Sequence, residues 1–295
     1  MKKIALLALL TTTAPFAAHA ESVTGGLTLS YTQHSVDAFN AELDTTGLDG
    51  RLAIDMENNL SFGIEIGQST TSLDGLPVDL EAEFYGFDAS YAFGNGMSAG
   101  LYMDRLAIGI DGIPIELSLK SKGITFDYAG NGFTAEAFYG TPDDILNVEL
   151  DNLGIAGSYT GVEGLEIGAA FQRAKLSQGG FSENLDFKGV AATYMATPSL
   201  MVFAGFGTLD VAGLGSLDSK GIGISYDLRA ATGFGSSISL EVGQTSLEGL
   251  DADVIRAAWT IPLGKKGSVL PMNSVADSVL NPRRNALIAG LTAGF

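Results

Sequence analysis

The sequence contains no cysteine, and only 16 of its 295 residues are basic. Without cysteine the chain can form no disulfide and has no thiol nucleophile or thiolate metal ligand. The 34 acidic residues leave a formal net charge of −18, which excludes nucleic acid as a partner because phosphate binding requires a basic face. Hydrophobic residues still make up 46% of the chain, which is too many for an intrinsically disordered protein.

Motifs of catalysis and cofactor binding are missing as well. The sequence has no phosphate-binding loop, dinucleotide fingerprint or metal-ligand motif. His34 is the one histidine after residue 20. Because no serine motif accompanies it, we expect a solvated residue at the rim of the fold and not a catalytic base. The sequence therefore predicts a protein that is not an enzyme and has no cofactor.

Residues 1–20 have the pattern of a secretory signal peptide. Lys2 and Lys3 precede an apolar run at 4–10, and Ala18 and Ala20 place small residues where a signal peptidase cleaves, before Glu21. No later apolar run approaches the ~18 residues of a membrane helix. We therefore expect residues 21–295 to form either a soluble exported protein or an outer-membrane β-barrel.

A six-residue pattern that recurs eight times favours the barrel. Gly86-Phe87-Asp88-Ala89-Ser90-Tyr91 is typical, with a leading glycine, apolar residues at every second position and an aromatic residue at the end. Copies begin at residues 51, 86, 123, 154, 189, 221, 254 and 290, so they are 31–37 residues apart, which is the length of a β-hairpin. All but the last precede a turn signal, such as Gly94-Asn95-Gly96, and a second alternating strand.

This repeat predicts an all-β fold, a transmembrane antiparallel up-and-down β-barrel of 16 strands. The last strand, residues 286–295, is expected to pair with the strand that starts near Val23. Pro271 is poorly suited to a paired strand, and residues 274–280 could form a helical turn. A 14-stranded barrel with a C-terminal tail is therefore the alternative.

The two faces of the predicted strands differ in composition. One face carries mainly Gly, Ser, Thr and Ala with scattered acids, and these side chains are too small to fill a wide barrel, so we expect water in the lumen. The other face is apolar and is expected to contact lipid. Its members are Leu52, Ile54, Phe87, Ile124, Phe126, Ile155, Ile222, Ile224 and Leu291.

With its signal peptide, acidic mature chain, alternating hairpins and terminal Leu291-Thr292-Ala293-Gly294-Phe295, the sequence resembles the general porins of the Gram-negative outer membrane. The resemblance covers residues 21–295. It implies a location in the outer membrane, contact with lipid and lipopolysaccharide, a possible homotrimer, and recognition of a C-terminal strand ending in Phe295 by the barrel-assembly machinery. The long third loop of such porins corresponds here to a short segment, residues 105–119.

Aromatic residues close seven of the eight repeats, beside the short turns. Because these residues occupy the same position of the repeat, they predict a periplasmic aromatic girdle at the depth of the lipid headgroups. Ordinary strand propensity is the alternative explanation. The residues are Tyr91, Tyr128, Tyr159, Tyr194, Tyr226, Trp259 and Phe295.

Charged residues on the inward face define the predicted pore lining. A low-dielectric wall focuses their field on the aqueous path, so an excess of acids predicts a preference for cations. Arg51 and Arg256 are expected to form a basic side opposite Asp88 and Asp127. The predicted pore-lining residues are Arg51, Asp55, Glu65, Asp88, Asp127, Glu136, Glu166, Glu241 and Arg256.

Two further groups of charges lie near the longer connections. Lys122, Lys188 and Lys220 each precede a repeat glycine and are placed to meet anionic lipid headgroups. Acidic loops at Asp74, Asp111, Asp143-Asp144 and 251–253 make calcium a possible ligand, but they lack a fixed ligand spacing, and turn chemistry explains them better.

These features together predict an outer-membrane porin. Ions and small hydrophilic solutes would diffuse through a water-filled channel that selects by size and by the field of its wall, with a preference for cations. A structural or adhesive barrel without a channel is the alternative.

Overall fold

The computed structural model describes residues 20–36, 41–73, 78–112, 116–143, 149–178, 181–213, 215–229, 235–264 and 269–294. The predicted signal peptide therefore lies outside the described residues except for Ala20, the first residue of the first strand. Neither helix in the described ranges is long and apolar enough to cross a membrane.

Fourteen strands and two helices make up the described part of the chain. The strands run from one hairpin to the next, and both helices follow the last strand. The strands are β1 (Ala20–Val36), β2 (Ala41–Met56), β3 (Leu60–Leu73), β4 (Asp79–Gly94), β5 (Met97–Ile110), β6 (Glu116–Gly130), β7 (Phe133–Pro142), β8 (Glu149–Val162), β9 (Leu165–Gln178), β10 (Phe181–Thr197), β11 (Leu200–Val211), β12 (Gly215–Asp227), β13 (Ser237–Leu247) and β14 (Leu250–Gly264). The helices are α1 (Val275–Leu280) and α2 (Ala286–Gly294).

Each strand pairs with its sequence neighbours, and β1 pairs with β14 to close the barrel. All pairings are antiparallel, and the closing pair extends from Thr24 opposite Gly264 to Val36 opposite Ala252. Closure satisfies the backbone groups of every strand edge, which is the condition for a sheet to cross a bilayer. The predicted all-β, up-and-down barrel is confirmed.

Tight turns at one end of the barrel follow from asparagine and glycine. Asn95 and Gly96 have φ angles of 54° and 76°, and Asn131 and Gly132 have 54° and 79°. Two successive positive φ angles define a type I′ turn, whose twist matches that of the flanking strands. We call this the turn end of the barrel and the opposite end, where β1 runs into β2, the loop end.

The outer face of the barrel is apolar, as the alternation predicts. Phe126 is 57% exposed, Ile155 56% and Ile224 50%, although large apolar side chains are normally buried in water-soluble proteins. An exposed apolar surface of this kind fits a lipid environment. Ile54 is an exception, because neighbouring side chains cover all but 6% of it.

The preferred count of sixteen strands is wrong, and the alternative of fourteen with a C-terminal tail is confirmed. Residues 286–294 do not pair with β1, because β14 already occupies that edge. They form helix α2 instead, and its buried Ala286, Ala289 and Ala293 follow helical spacing. The predicted lipid-facing strand at the last copy of the repeat, which includes Leu291, is therefore wrong.

Residues 269–294, here called the C-terminal plug, fold back into the barrel. Its apolar face packs against β9, β10 and β11, where Phe187 and Phe203 are almost fully buried. Small wall residues make this contact possible, since a Cβ atom on Gly205 would lie 2.7 Å from the backbone nitrogen of Ala276. The glycine-rich inner face therefore accommodates protein in this half of the barrel, where we expected water.

Both helices of the plug begin with a capping side chain. The Ser274 hydroxyl accepts a hydrogen bond from the backbone nitrogen of Asp277 at 3.1 Å. The Asn285 side chain accepts from the backbone nitrogen of Leu287 at 3.0 Å. Such caps satisfy amide groups that have no partner within the helix. Residues 281–285, which we call the connector, separate the two helices.

We predict that Gly205→Leu lowers the free energy of unfolding by about 1–3 kcal/mol, because the new side chain overpacks the contact with α1. Ala204→Leu on the outer face of the same strand adds a similar volume without meeting the plug and should have little effect. Denaturant titration of both variants refolded in lipid vesicles checks this. Equal stability of the two variants would contradict the placement of the plug.

Candidate functional site

Two adjacent arginines in the connector bind acidic side chains of the barrel wall. Arg283 contacts Asp49 at 2.9 Å and Glu65 at 3.0 Å. Arg284 contacts Glu136 at 2.8 Å and Asp88 at 3.4 Å. Charged hydrogen bonds with two acceptors constrain a guanidinium group in orientation as well as position. The connector is therefore held against β2, β3, β4 and β7.

Aromatic rings support the same two arginines. The guanidinium carbon of Arg283 lies 4.4 Å from the ring centroid of Phe84, and that of Arg284 lies 5.4 Å from the ring centroid of Tyr102. Both distances are within the range of cation–π attraction. Phe84 also belongs to a small apolar cluster with Leu106, Leu119 and Ile288, so ionic and apolar contacts hold the plug together here.

A third arginine comes from the wall and reaches the plug. Arg51 contacts Glu65 at 3.1 Å and Asp277 of α1 at 3.3 Å, and it donates to the backbone oxygen of Asn281. Glu65 is therefore shared between Arg51 and Arg283. Since a buried carboxylate is costly unless it is paired, this sharing stabilises Glu65 and Asp277 together.

Side-chain amides of the wall satisfy the connector backbone on its other side. Gln172 donates to the backbone oxygen of Arg283 at 2.8 Å, and Asn152 donates to that of Arg284. Both side chains are fully buried, which is unusual for polar residues unless they are hydrogen-bonded. The connector thus spans the lumen between amides on β8 and β9 and acids on β2, β3, β4 and β7.

A separate buried ion pair fixes the start of α1. Arg256 contacts Glu241 at 2.6 Å, and both side chains are about 97–98% buried. Arg256 also donates to the hydroxyl of Thr32, and Glu241 accepts from the backbone nitrogen of Val275. Arg256 is therefore neutralised locally. Arg51 and Arg256 thus each bind acids of their own, and a basic side formed by them opposite Asp88 and Asp127 stays a prediction.

Two cavities lie between the plug and the wall. The turn-end cavity has a volume of about 420 Å³ and reaches the short turns at Gly96 and Ala129. The loop-end cavity has about 170 Å³ and is lined by Thr45, Thr71 and Ile108. Arg283 lines both. Its side chain, with Asp49 and Glu65, therefore forms the layer that separates them.

The predicted pore-lining residues fall into three groups. Arg51, Glu65, Asp88, Asp127 and Glu136 come together around the turn-end cavity. Glu241 and Arg256 bind each other beside α1. Asp55 accepts from Ser22 and Ser61, and Glu166 accepts from Ser158, so these two acids are held by hydroxyl groups of the wall.

The six described members of the predicted girdle are not buried. Tyr91, Tyr194, Tyr226 and Trp259 are 40–52% exposed, and the Tyr159 ring lies 4.5 Å from that of Phe133. Tyr128 has intermediate burial, and Phe295 lies outside the described residues. Their depth relative to a bilayer stays a prediction.

The other predicted residues have simpler surroundings. His34 is 2% exposed, so the expected solvated rim position is wrong. Lys122, Lys188 and Lys220 are exposed, and Lys188 contacts Asp210 at 2.6 Å. No group of three or more potential ligands suited to a metal ion occurs within the described ranges, which omit Asp74 and Asp144 of the acidic loops.

Sequence reasoning missed the plug side of this site. Arg283 and Arg284 lie beyond the last strand, and Asp277 lies within residues 274–280, for which the sequence suggests either part of a strand or a helical turn. Asp49 and Asp104 lie on β2 and β5, outside the six-residue copies of the repeat. The run Asn281-Pro282-Arg283-Arg284-Asn285 was the available signal, because a proline and two adjacent cations do not fit a strand that faces lipid.

No protein-family model and no curated protein sequence matches the chain. Its fold is similar to solved porin and channel structures. The anion-selective porin from Comamonas acidovorans aligns with a TM-score of 0.54 at 10% identity, over 82% of this chain and 99% of that one. The CymD monoaromatic hydrocarbon channel aligns with a TM-score of 0.54 at 12% identity, over 87% of this chain and 92% of that one. A FadL homologue from Pseudomonas aeruginosa aligns with a TM-score of 0.52 at 12% identity, over 83% of this chain and 91% of that one. The resemblance to Gram-negative porins is thus confirmed for the fold, which is a closed antiparallel β-barrel.

We predict that Arg256→Ala lowers the free energy of unfolding by about 3–5 kcal/mol, because it leaves the Glu241 carboxylate buried without its partner. Arg105→Ala is the matched control. Arg105 contacts Glu116 at 2.8 Å, but both side chains are about half exposed, so this loss should cost only about 0–1 kcal/mol. Denaturant unfolding in vesicles measures both, and similar losses would contradict the buried pair.

Proposed function

We propose that the protein is an outer-membrane diffusion channel for ions and small hydrophilic solutes, and that its C-terminal plug regulates the path. The observation that supports this most is the pair of cavities on one side of the plug, which are separated by the Arg283 layer. One cavity reaches the turn end and the other lies toward the loop end, so together they outline a route along β2–β7.

One side of the plug is tightly packed against the wall, and on the other side the contacting side chains can rearrange. Against β9–β11 it is packed through apolar and small residues, which exclude water. Against β2–β7 it is held by side-chain ion pairs with water-sized spaces around them and by the small apolar cluster around Phe84 and Ile288. A rearrangement of the long Arg283 side chain would connect the two cavities while the apolar contact stays in place. We therefore place the gate at Arg283.

The charge of the turn-end cavity supports a preference for cations. Five carboxylates, Glu65, Asp88, Asp104, Asp127 and Glu136, line it together with three guanidinium groups, those of Arg51, Arg283 and Arg284. Five negative and three positive charges leave a net charge of −2 if all are ionised. A low-dielectric wall strengthens the resulting field, which attracts cations and repels anions.

The proposed location and assembly follow the fold. We infer that residues 1–20 direct export, that the turn end faces the periplasm, and that the outer face meets lipid and lipopolysaccharide. A homotrimer stays a proposal for the assembly. Because residues 286–294 are helical, recognition of the last strand by the barrel-assembly machinery would fall on β14 and not on a strand that ends at Phe295.

A structural barrel without a channel is the second candidate. The tight packing of Phe187, Phe203, Val279 and Ala289 favours it, because such contacts make the plug a permanent part of the lumen. The two candidates differ in what happens at the Arg283 layer. Only a channel needs that layer to open.

We predict that Arg283→Ala raises the single-channel conductance by roughly twofold or more, because it removes the layer between the cavities. Arg173→Ala is the control, since Arg173 pairs with Asp186 away from both cavities. Planar-bilayer recordings of protein shown to be folded measure both. The absence of conductance in wild type and in Arg283→Ala would overturn the channel proposal and favour the structural barrel.

We predict that the reversal potential in a KCl gradient indicates K⁺ preference in dilute salt and weaker preference in concentrated salt. The reason is that the Debye length falls from about 10 Å at 0.1 M to about 3 Å at 1 M. Asp127→Asn should weaken the preference, whereas Asp210→Asn, on the outer face, should leave it unchanged. Anion preference of the wild-type channel at low salt would contradict the assigned role of the acids.

A further inference from the structure

We propose that the turn-end cavity is a binding site for a small organic cation that carries ammonium groups. This inference deepens the proposed function. Binding of the cation does not depend on the channel proposal, and only the role of the cation in transport rests on it. Its basis is a charge imbalance around the connector together with a buried carboxylate, Asp104, that has no partner of its own.

The imbalance is clear from the contacts already described. The guanidinium groups of Arg51, Arg283 and Arg284 provide the three positive charges of this network. The carboxylates around them are Asp49, Glu65, Asp88, Asp104, Asp127, Glu136 and Asp277. Seven acids and three bases leave four negative charges without a cation from the chain if all are ionised. Burial makes such an excess costly, so it favours cations that enter from solvent.

Asp104 gives this excess a definite position. Its side chain is 94% buried on the inner face of β5, and it lines the turn-end cavity. Among the described residues, no donor makes a hydrogen bond or ion pair with its carboxylate. The wall leaves room for it at Gly86, where a Cβ atom would lie 3.0 Å from its Oδ1 atom. A buried carboxylate with space in front of it is an unoccupied acceptor.

A second carboxylate of the cavity also lacks a cationic partner. Asp127 accepts hydrogen bonds from Ser98 at 3.2 Å and Thr125 at 3.5 Å, but no arginine or lysine pairs with it in the described ranges. It lies directly opposite Glu136 on the neighbouring strand. Like charges in this arrangement repel each other, and a cation that contacts both carboxylates would relieve the repulsion.

The size and ligand geometry of the cavity select the class of cation. Its volume of about 420 Å³ falls within the ~300–1,000 Å³ typical of small-molecule sites. No three acids in the described part of the chain are arranged to hold a metal ion. An aliphatic ammonium group donates three hydrogen bonds and pairs well with separated carboxylates. The geometry therefore favours a small aliphatic amine over a bare divalent ion.

Isothermal titration calorimetry of the folded protein in detergent tests this directly, with putrescine as the probe. We expect saturable binding of putrescine, no binding of the neutral analogue 1,4-butanediol, and no binding of the dianion succinate. Wild-type protein alone thus decides whether the site selects cations. The absence of saturable putrescine binding, or equal binding of 1,4-butanediol, would overturn the proposal.

Two variants locate the site. Asp104→Asn and Asp127→Asn should each weaken putrescine binding by about tenfold or more, because each removes a charged acceptor. Asp210→Asn, which makes the same change on the outer face, should bind like wild type. Wild-type affinity in the double variant of Asp104 and Asp127, shown to be folded by circular dichroism, would refute the assigned site.

Planar-bilayer recordings separate this inference from the channel proposal. If the protein conducts, putrescine should block the current reversibly in wild type and much less in Asp104→Asn. Calorimetric binding without any conductance would support the site and refute the channel. Conductance without calorimetric binding would refute the site and support the channel.

Discussion

The ion pairs between the connector and the acids of β2, β3, β4 and β7 are the contacts on which the organisation of the lumen depends. Arg283 and Arg284 are 218 and 148 residues distant in sequence from partners such as Glu65 and Glu136. They bring the end of the chain back across the interior of a barrel that its own strands have already closed. Without them, Asp49, Asp88 and Glu136 would have no cationic partner among the described residues, and Glu65 would keep only Arg51.

The position of the two helices of the plug depends on the space that the wall leaves for them. Glycine and alanine on β9–β11 leave a groove in which α1 and α2 can approach the backbone closely. Side-chain amides of Gln172 and Asn152 add hydrogen bonds to the backbone oxygens of Arg283 and Arg284 in the connector. Polar groups in a water-poor interior require such partners, and for this reason the wall is polar at these two positions.

This arrangement divides the lumen into two unlike halves. One half is filled by apolar contacts and is suited to hold the plug permanently. The other half retains cavities whose walls carry more negative than positive charge, and a single arginine layer divides them. The apolar packing on one side and the ion pairs on the other therefore hold the plug by different kinds of contact.

The sequence by itself determined the barrel class, the apolar outer face and the tight turns. These features are local, because short segments of sequence determine both the period-two alternation and the positive φ angles of Asn95 and Asn131. Only the tertiary structure decided the strand count, the fate of residues 269–294 and the partners of the inward charges. Gly290-Leu291-Thr292-Ala293-Gly294 suits a strand and a buried helix equally well, and the choice depended on whether β14 had already taken the edge of β1. In the same way, the alternation of side chains along each strand indicated that Glu65, Asp88 and Glu136 point inward. Their arginine partners come from a distant segment that no local pattern connects to them.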